Sequence, residues 1–109
     1  MRGNHKMAKT KQILNNEVTL TEMDKKNGKG EVIRVNKGEV KNGVNKGPHI
    51  DVRTYYLDAD DELQPGKGAC IPRFLALDVA LGILEGLDIQ FNLQEKEELR
   101  VKAYEGGEE

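Results

Sequence analysis

In the run EVTLTEM, Val18 and Leu20 alternate with Thr19 and Thr21, and Met23 then falls out of phase. Such alternation marks a half-buried strand, and the Lys-, Asn- and Gly-rich stretch from Asp24 to Gly30 closes it with a turn. The next run, EVIRVNKGEV, sets Val32, Ile33, Val35 and Val40 around Arg34 and Lys37 and predicts a second strand bent at Gly38. KNGVNKGP then predicts a long hairpin connection with Lys41 and Lys46 at its exposed tip. In HIDVRTYYL, Ile50, Val52 and Thr54 share one face of a third strand, and Asp51, Arg53 and Tyr55 share the other. The first set is the expected core face and the second the expected open face. DADDEL makes a turn, and QPGKGACIPRF a fourth short strand that Pro72 interrupts or ends. The pattern predicts an α+β fold, a four-stranded antiparallel meander followed by a helix from about Phe74.

That helix, FLALDVALGILEGL, carries more apolar surface than the stripe of roughly 100° needed to cover one sheet. The expected partner is the same helix of a second copy, giving a homodimer whose interface includes Val79, Leu81, Ile83, Leu84 and Leu87. A tail folded over a greasy helix is the plainer alternative. Beyond it, Ile89, Phe91 and Leu93 alternate with polar residues, and Leu99, Val101 and Ala103 do so again. A second hairpin is expected there, its apolar face, with Phe91, extending the dimer interface; a helix over Gln94 to Tyr104 is the competing reading. The chain thus divides into a flexible basic arm (1–15), a core with its dimerisation helix (16–88), a C-terminal extension (89–104) and a disordered acidic tail (105–109).

Charge is distributed unevenly. Residues 1–30 hold seven Lys or Arg against three Asp or Glu, residues 31–74 seven of each, and residues 75–109 three against nine, for a net −2. A basic start and an acidic end suit a protein that meets a polyanion on one side, although two solvated tails would show the same imbalance. A content of 37% hydrophobic residues supports one modest core, and 33% charged residues suit a soluble chain. One cysteine, Cys70, has no intramolecular disulfide partner, which fits a reducing cytoplasm; it is expected as a small core residue on the fourth strand. The most apolar stretch, Phe74 to Leu87, is too short to span a bilayer and contains Asp78 and Glu85, so no membrane association is expected.

Nothing in the chain has a catalytic pattern. His5 and His49 are the two histidines, and Cys70 has no evident base, so no enzyme, cofactor or metal is predicted. Asp58, Asp60, Asp61 and Glu62 lack the glycine and terminal glutamate of a calcium loop. PGKGA lacks the Ser or Thr and the spaced first glycine of a phosphate loop. What remains is an open sheet face with Arg53, Tyr55 and Arg34, and Lys37, Lys46 and Lys67 around it. Cations that track phosphates, with rings on which bases stack, are the requirement for single-stranded nucleic acid. The same residues also fit an ordinary strand in which Arg53 pairs with Asp51 or Glu31.

IDVRTYY, an acidic turn, ELQPGKGACI and a helix together resemble the single-stranded-DNA-binding domain of the transcriptional coactivator family of positive cofactor four, and the compact chain is more similar to a bacterial or phage homologue. The resemblance is firm over residues 50–71, extends over 31–87 and is absent from both ends. It implies a curved four-stranded antiparallel sheet, a helix-mediated homodimer and binding of single-stranded or melted DNA across the sheet. Arg53 falls on the family's DNA-contacting arginine, Tyr56 on its stacking aromatic and Lys67 on its loop lysine. Strict alternation sets Tyr56 on the face opposite Arg53, which keeps Tyr55 as a second candidate. The chain departs from the pattern in having one basic residue between the loop glycines, polar Asn36 or Lys37 in place of an aromatic, and RFLALD at the helix start. The expected function is sequence-tolerant single-stranded DNA binding in replication, recombination or transcription. The alternative is a coactivator or adaptor acting mainly through replication or transcription proteins.

Overall fold

The computed structural model describes residues 11–105, so most of the expected basic arm, with His5, and all of the expected acidic tail except Glu105 lie outside the described residues. An antiparallel four-stranded sheet is followed by two helices, an α+β arrangement. The chain forms two units, one ending at Ile71 and one beginning at Pro72.

The first unit is the sheet, with strands β1 (Asn15–Asp24), β2 (Val32–Val40), β3 (Gly47–Leu57) and β4 (Leu63–Pro72) in sequential order. Its turns follow the local chemistry. In the β1–β2 turn the Asp24 carboxylate accepts from the Lys26 amide at 2.7 Å, and Lys26, Gly28 and Gly30 take positive φ. In the β3–β4 turn the Asp58 carboxylate accepts from the amides of Asp60 and Glu62 and from Gln64 Nε2. The Glu62 amide is the main cause holding that carboxyl below its ordinary pKa.

β1 pairs with β2 through two register shifts, between Asn15 and Val18 and between Thr19 and Thr21. The second leaves Leu20 as an extra residue, and this bulge is why Met23 breaks the alternation. β2 continues through Gly38, the expected bend, to Val40. The glycine serves close approach instead: a Cβ there would lie 2.6 Å from Leu14 Cβ and 2.7 Å from the Asn15 carbonyl oxygen. At Gly68 the constraint is tighter, because a Cβ would overlap the Arg53 side chain and the Val52 carbonyl oxygen. Cys70, expected in the core, is exposed on β4, an edge strand with an open flank.

The second unit begins where Pro72 ends β4 and caps helix α1 (Arg73–Gly86). Asp88 takes a left-handed conformation at φ 63° beyond its last turn. The Asp88 amide then bonds the Glu85 carbonyl, and the Ile89 amide the Leu84 carbonyl, which satisfies two terminal carbonyls. Residues 93–104, where a second hairpin was expected, form helix α2 (Leu93–Tyr104). The correction has a local cause. Asn92 and Glu95 close a reciprocal capping box, and Gln94–Glu98 and Glu97–Arg100 make helix-spaced contacts. Tyr104 ties α2 to the start of α1: its hydroxyl accepts from the Leu77 amide at 3.1 Å and donates to the Arg73 carbonyl at 2.9 Å. Arg73 in turn donates to the Ala103 carbonyl at 2.6 Å. No helix among the described residues is long and apolar enough to cross a membrane.

Substituting Gly68→Ala is expected to destabilise the protein by about 1–3 kcal/mol or more, because the new methyl group meets backbone and Cβ atoms that cannot swing aside. Urea unfolding followed by circular dichroism measures it. A midpoint equal to that of the unmodified chain would show that β4 has room to shift.

Candidate nucleic-acid interface

Residues directly opposite in an antiparallel pair share a face. Arg34 opposes Arg53 and Asn36 opposes Asp51, whereas Val35 opposes Val52 and Lys37 opposes Ile50. One face therefore carries Arg34, Asn36, Asp51, Arg53 and Tyr55. The other carries Ile33, Val35, Lys37, Ile50, Val52, Thr54 and Tyr56. The sequence-predicted site is split between them.

The face expected to be open is the more buried one. Asp51 is 0% exposed, Tyr55 1% and Asn36 2%, whereas Ile50, Val52 and Thr54, the expected core, are only half-buried. Polar residues tolerate this because they satisfy one another. Asp51 accepts two bonds from Arg53, at 2.8 Å from Nε and 2.6 Å from Nη2, in a bidentate fork. Arg53 Nη1 donates to the Gly66 carbonyl at 2.9 Å, tying β3 to β4. These bonds from Asp51 raise the Arg53 pKa above its ordinary value despite partial burial. Arg34 donates to Glu22 at 2.7 Å and lies 4.7 Å from the Tyr55 ring centroid, a cation–π contact. Asn36 Nδ2 donates to Glu17 at 2.8 Å and to the Tyr55 hydroxyl oxygen at 3.2 Å. Burial first, and then the charge of Glu17, pushes the Tyr55 phenol pKa up.

Tyr55 thus has no ring face free for stacking, and Arg53 and Arg34 both have carboxylate partners. The pairing of Arg53 with Asp51 is the ordinary-strand arrangement that the sequence also allowed. Tyr56, by contrast, is 42% exposed. Its ring lies over Gly66, where a Cβ would sit 3.3 Å from Cδ1, so the missing side chain makes the seat for the ring. Lys67, next along β4, is exposed, as are Lys37 on β2 and Lys46 in the β2–β3 connection. Among the described residues these three lysines make no ion pair.

Sequence reasoning missed Asn36, Glu17 and Leu14. Leu14 is 2% exposed and sits over Gly38, on the face of Asn36 and His49. The signal was an apolar pair, Ile13 and Leu14, beside a strand with a glycine facing it. Among the expected interface residues of α1 and its extension, Val79, Ile83 and Leu87 are exposed, Leu84 and Phe91 half-buried, and Leu81 buried at 7%. Leu81 thus has little surface left to offer another molecule. Among the described residues no group of three or more His, Cys, Asp or Glu is placed to hold a metal ion. Compared with protein-family models, curated proteins and solved structures, the chain matches none.

Removing the carboxylate in Asp51→Ala leaves the Arg53 guanidinium, 14% exposed, without its counter-charge. The expected cost is about 3–5 kcal/mol, a large share of the roughly 5–15 kcal/mol that holds a small domain folded. Denaturant titration reads it directly. A loss below about 1 kcal/mol would mean that solvent already screens the pair.

Proposed function

We propose that this protein binds single-stranded nucleic acid, most naturally DNA, through Tyr56 and the lysines around it, and that it does so as a homodimer. The observation that carries the reading is Tyr56: an exposed ring, seated on the bare backbone of Gly66, next to the exposed Lys67. A ring held from beneath loses little freedom when a base stacks on it, and a neighbouring ammonium meets the phosphate that base carries. The resemblance of residues 50–71 to the positive cofactor four family supports the same residues and extends the site to Arg53. Lys37 shares the sheet face of Tyr56, and Lys46 adds charge from the β2–β3 connection.

A second copy is supported by what the chain leaves uncovered. Among the described residues the buried apolar side chains are Leu14, Tyr55 and Leu81, a small core for a domain of this length. Leu75, Val79, Ile83 and Leu87 are all exposed and recur every four residues, which lines the first three up as one ridge along α1 that Leu87 continues at its C-cap. A ridge of this kind packs into the groove of an identical helix, an isologous contact.

The carboxylate partners of Arg34 and Arg53 favour a second reading, in which the sheet is structural and the protein is an adaptor for replication or transcription proteins. Salt separates the two readings. Phosphate neutralisation on a single strand lowers log affinity by about 0.7 per contact for each log unit of salt.

Tyr56→Ala is expected to weaken binding to a labelled single-stranded oligonucleotide by roughly 1–3 kcal/mol, about tenfold to a hundredfold, while the protein stays folded. Fluorescence anisotropy at two salt concentrations measures both effects, and unchanged affinity would remove Tyr56 from the site. Ile83→Asp puts a charge on the exposed ridge and is expected to halve the mass seen by light scattering in solution. A dimer of undiminished mass would place the contact elsewhere.

A further inference from the structure

Residues 11–14 and Asn15, the first residue of β1, do more than start the sheet. The Lys11 amide donates to Gln64 Oε1 of β4 at 3.4 Å, and Asn15 Nδ2 donates to the Glu39 carbonyl of β2 at 3.3 Å. Between them Leu14 sits over Gly38. This short segment therefore runs from one edge strand to an inner strand. Gly38 opposes His49 in the β2–β3 pair, so Leu14 lies on the face of Asn36, Asp51 and Tyr55, and all of these, with His49, are buried.

We infer that residues 11–15 are a strap that closes this polar face and must leave before a nucleic-acid strand can reach Asn36 and Arg53, an inference that rests on the function proposed above. Three features support it. The strap is held lightly: among the described residues, apart from the packing of Leu14 and the pairing of Asn15 with Glu39 at the start of β1, its polar contacts are two long side-chain bonds at 3.3 and 3.4 Å, and Lys11, Gln12 and Ile13 are exposed. Just inside β1 the chain passes through Asn16 in a left-handed conformation at φ 54°, a state that asparagine tolerates better than most residues but does not prefer. The closed face is also incompletely satisfied, because Asn36 Oδ1 is buried with no hydrogen-bond donor. Leu14 cannot supply one, whereas the amino or imino group of a base can.

The strap makes closed and open states compete, so apparent affinity is the intrinsic affinity reduced by the fraction of molecules open. Leu14→Ser removes the apolar anchor without touching any residue of the proposed binding site. With a labelled oligothymidine as probe, the variant is expected to bind roughly tenfold tighter than the unmodified protein. Protected β2 and β3 amides in hydrogen exchange establish that the variant is folded. In the unmodified protein, saturation with the same oligonucleotide is expected to speed exchange of residues 11–15 while slowing that of β3, and this measurement decides if Leu14→Ser does not fold. A folded variant that binds no tighter, or a strap that exchanges more slowly with oligonucleotide bound, overturns the inference. Failure of both proteins to bind any single strand overturns instead the nucleic-acid reading on which the gate depends.

Discussion

The fork between Asp51 and Arg53 sets the terms for the rest of the sheet. The two residues stand two apart on β3 and so share a face, and with Asp51 fully buried neither charge can be left without the other. Once the guanidinium is committed to Asp51, its remaining reach goes to the Gly66 carbonyl and draws β4 against β3. That approach is compatible only with a residue lacking Cβ at 68. The PGKG stretch, which as a sequence invites a phosphate-binding reading, is thus explained in part by packing: Gly68 makes room for Arg53, and Gly66 makes room for Tyr56. The lysine between them is the residue the packing leaves free.

Much of this was legible in the chain. Alternation in the first and third runs, the β-branched second run and the Gly, Asn and Asp clusters between them predicted the meander, and Pro72 marked the change from strand to helix because it cannot donate to the ladder yet suits a helix start. What alternation could not give was which face would be covered. It states that Asp51, Arg53 and Tyr55 travel together, and hydrophobicity then assigned them to solvent. The assignment failed because Asp51 and Arg53 satisfy each other within β3 and Tyr55 meets Asn36 of β2, while Arg34 and Asn36 find Glu22 and Glu17 of β1 through a register with two shifts. The C-terminal extension misled for a different reason. Leu99, Val101 and Ala103 alternate over five residues, a pattern a helix also allows, while the capping box at Asn92 and Glu95 was the more specific signal. Tyr56 was placed on the correct side by alternation and as the better stacking candidate by the resemblance, two readings that conflict only if the site is confined to one face.

The distribution of apolar surface bears on the proposed homodimer. Val18, Leu20 and Met23 on β1 and the four-residue ridge on α1 are exposed, and isolated exposed hydrophobes need no explanation. A row spaced by one helical turn is different, since exposing it costs free energy that pairing recovers. With so few apolar side chains buried among the described residues, the proposed second copy would supply much of the burial that a domain of this length ordinarily finds in its own core.

The separation of Tyr56 from Arg53 also constrains how a strand could use both. β3 is an inner strand, so nothing reaches from one of its faces to the other except around an edge, and β4 is the edge beside it. At Gly66 and Gly68 that edge strand carries no side chains, and between them it carries an exposed lysine. On the nucleic-acid reading, a strand stacked on Tyr56 would meet little side-chain bulk in crossing there, with Lys67 beside its phosphates at the edge. Beyond the edge it meets the Gly66 carbonyl bond, the Arg53 guanidinium and the ground the strap occupies. On that reading the conflict between alternation and resemblance over Tyr55 and Tyr56 would dissolve, because a ligand that wraps an edge can use an aromatic on the first face and a cation on the second.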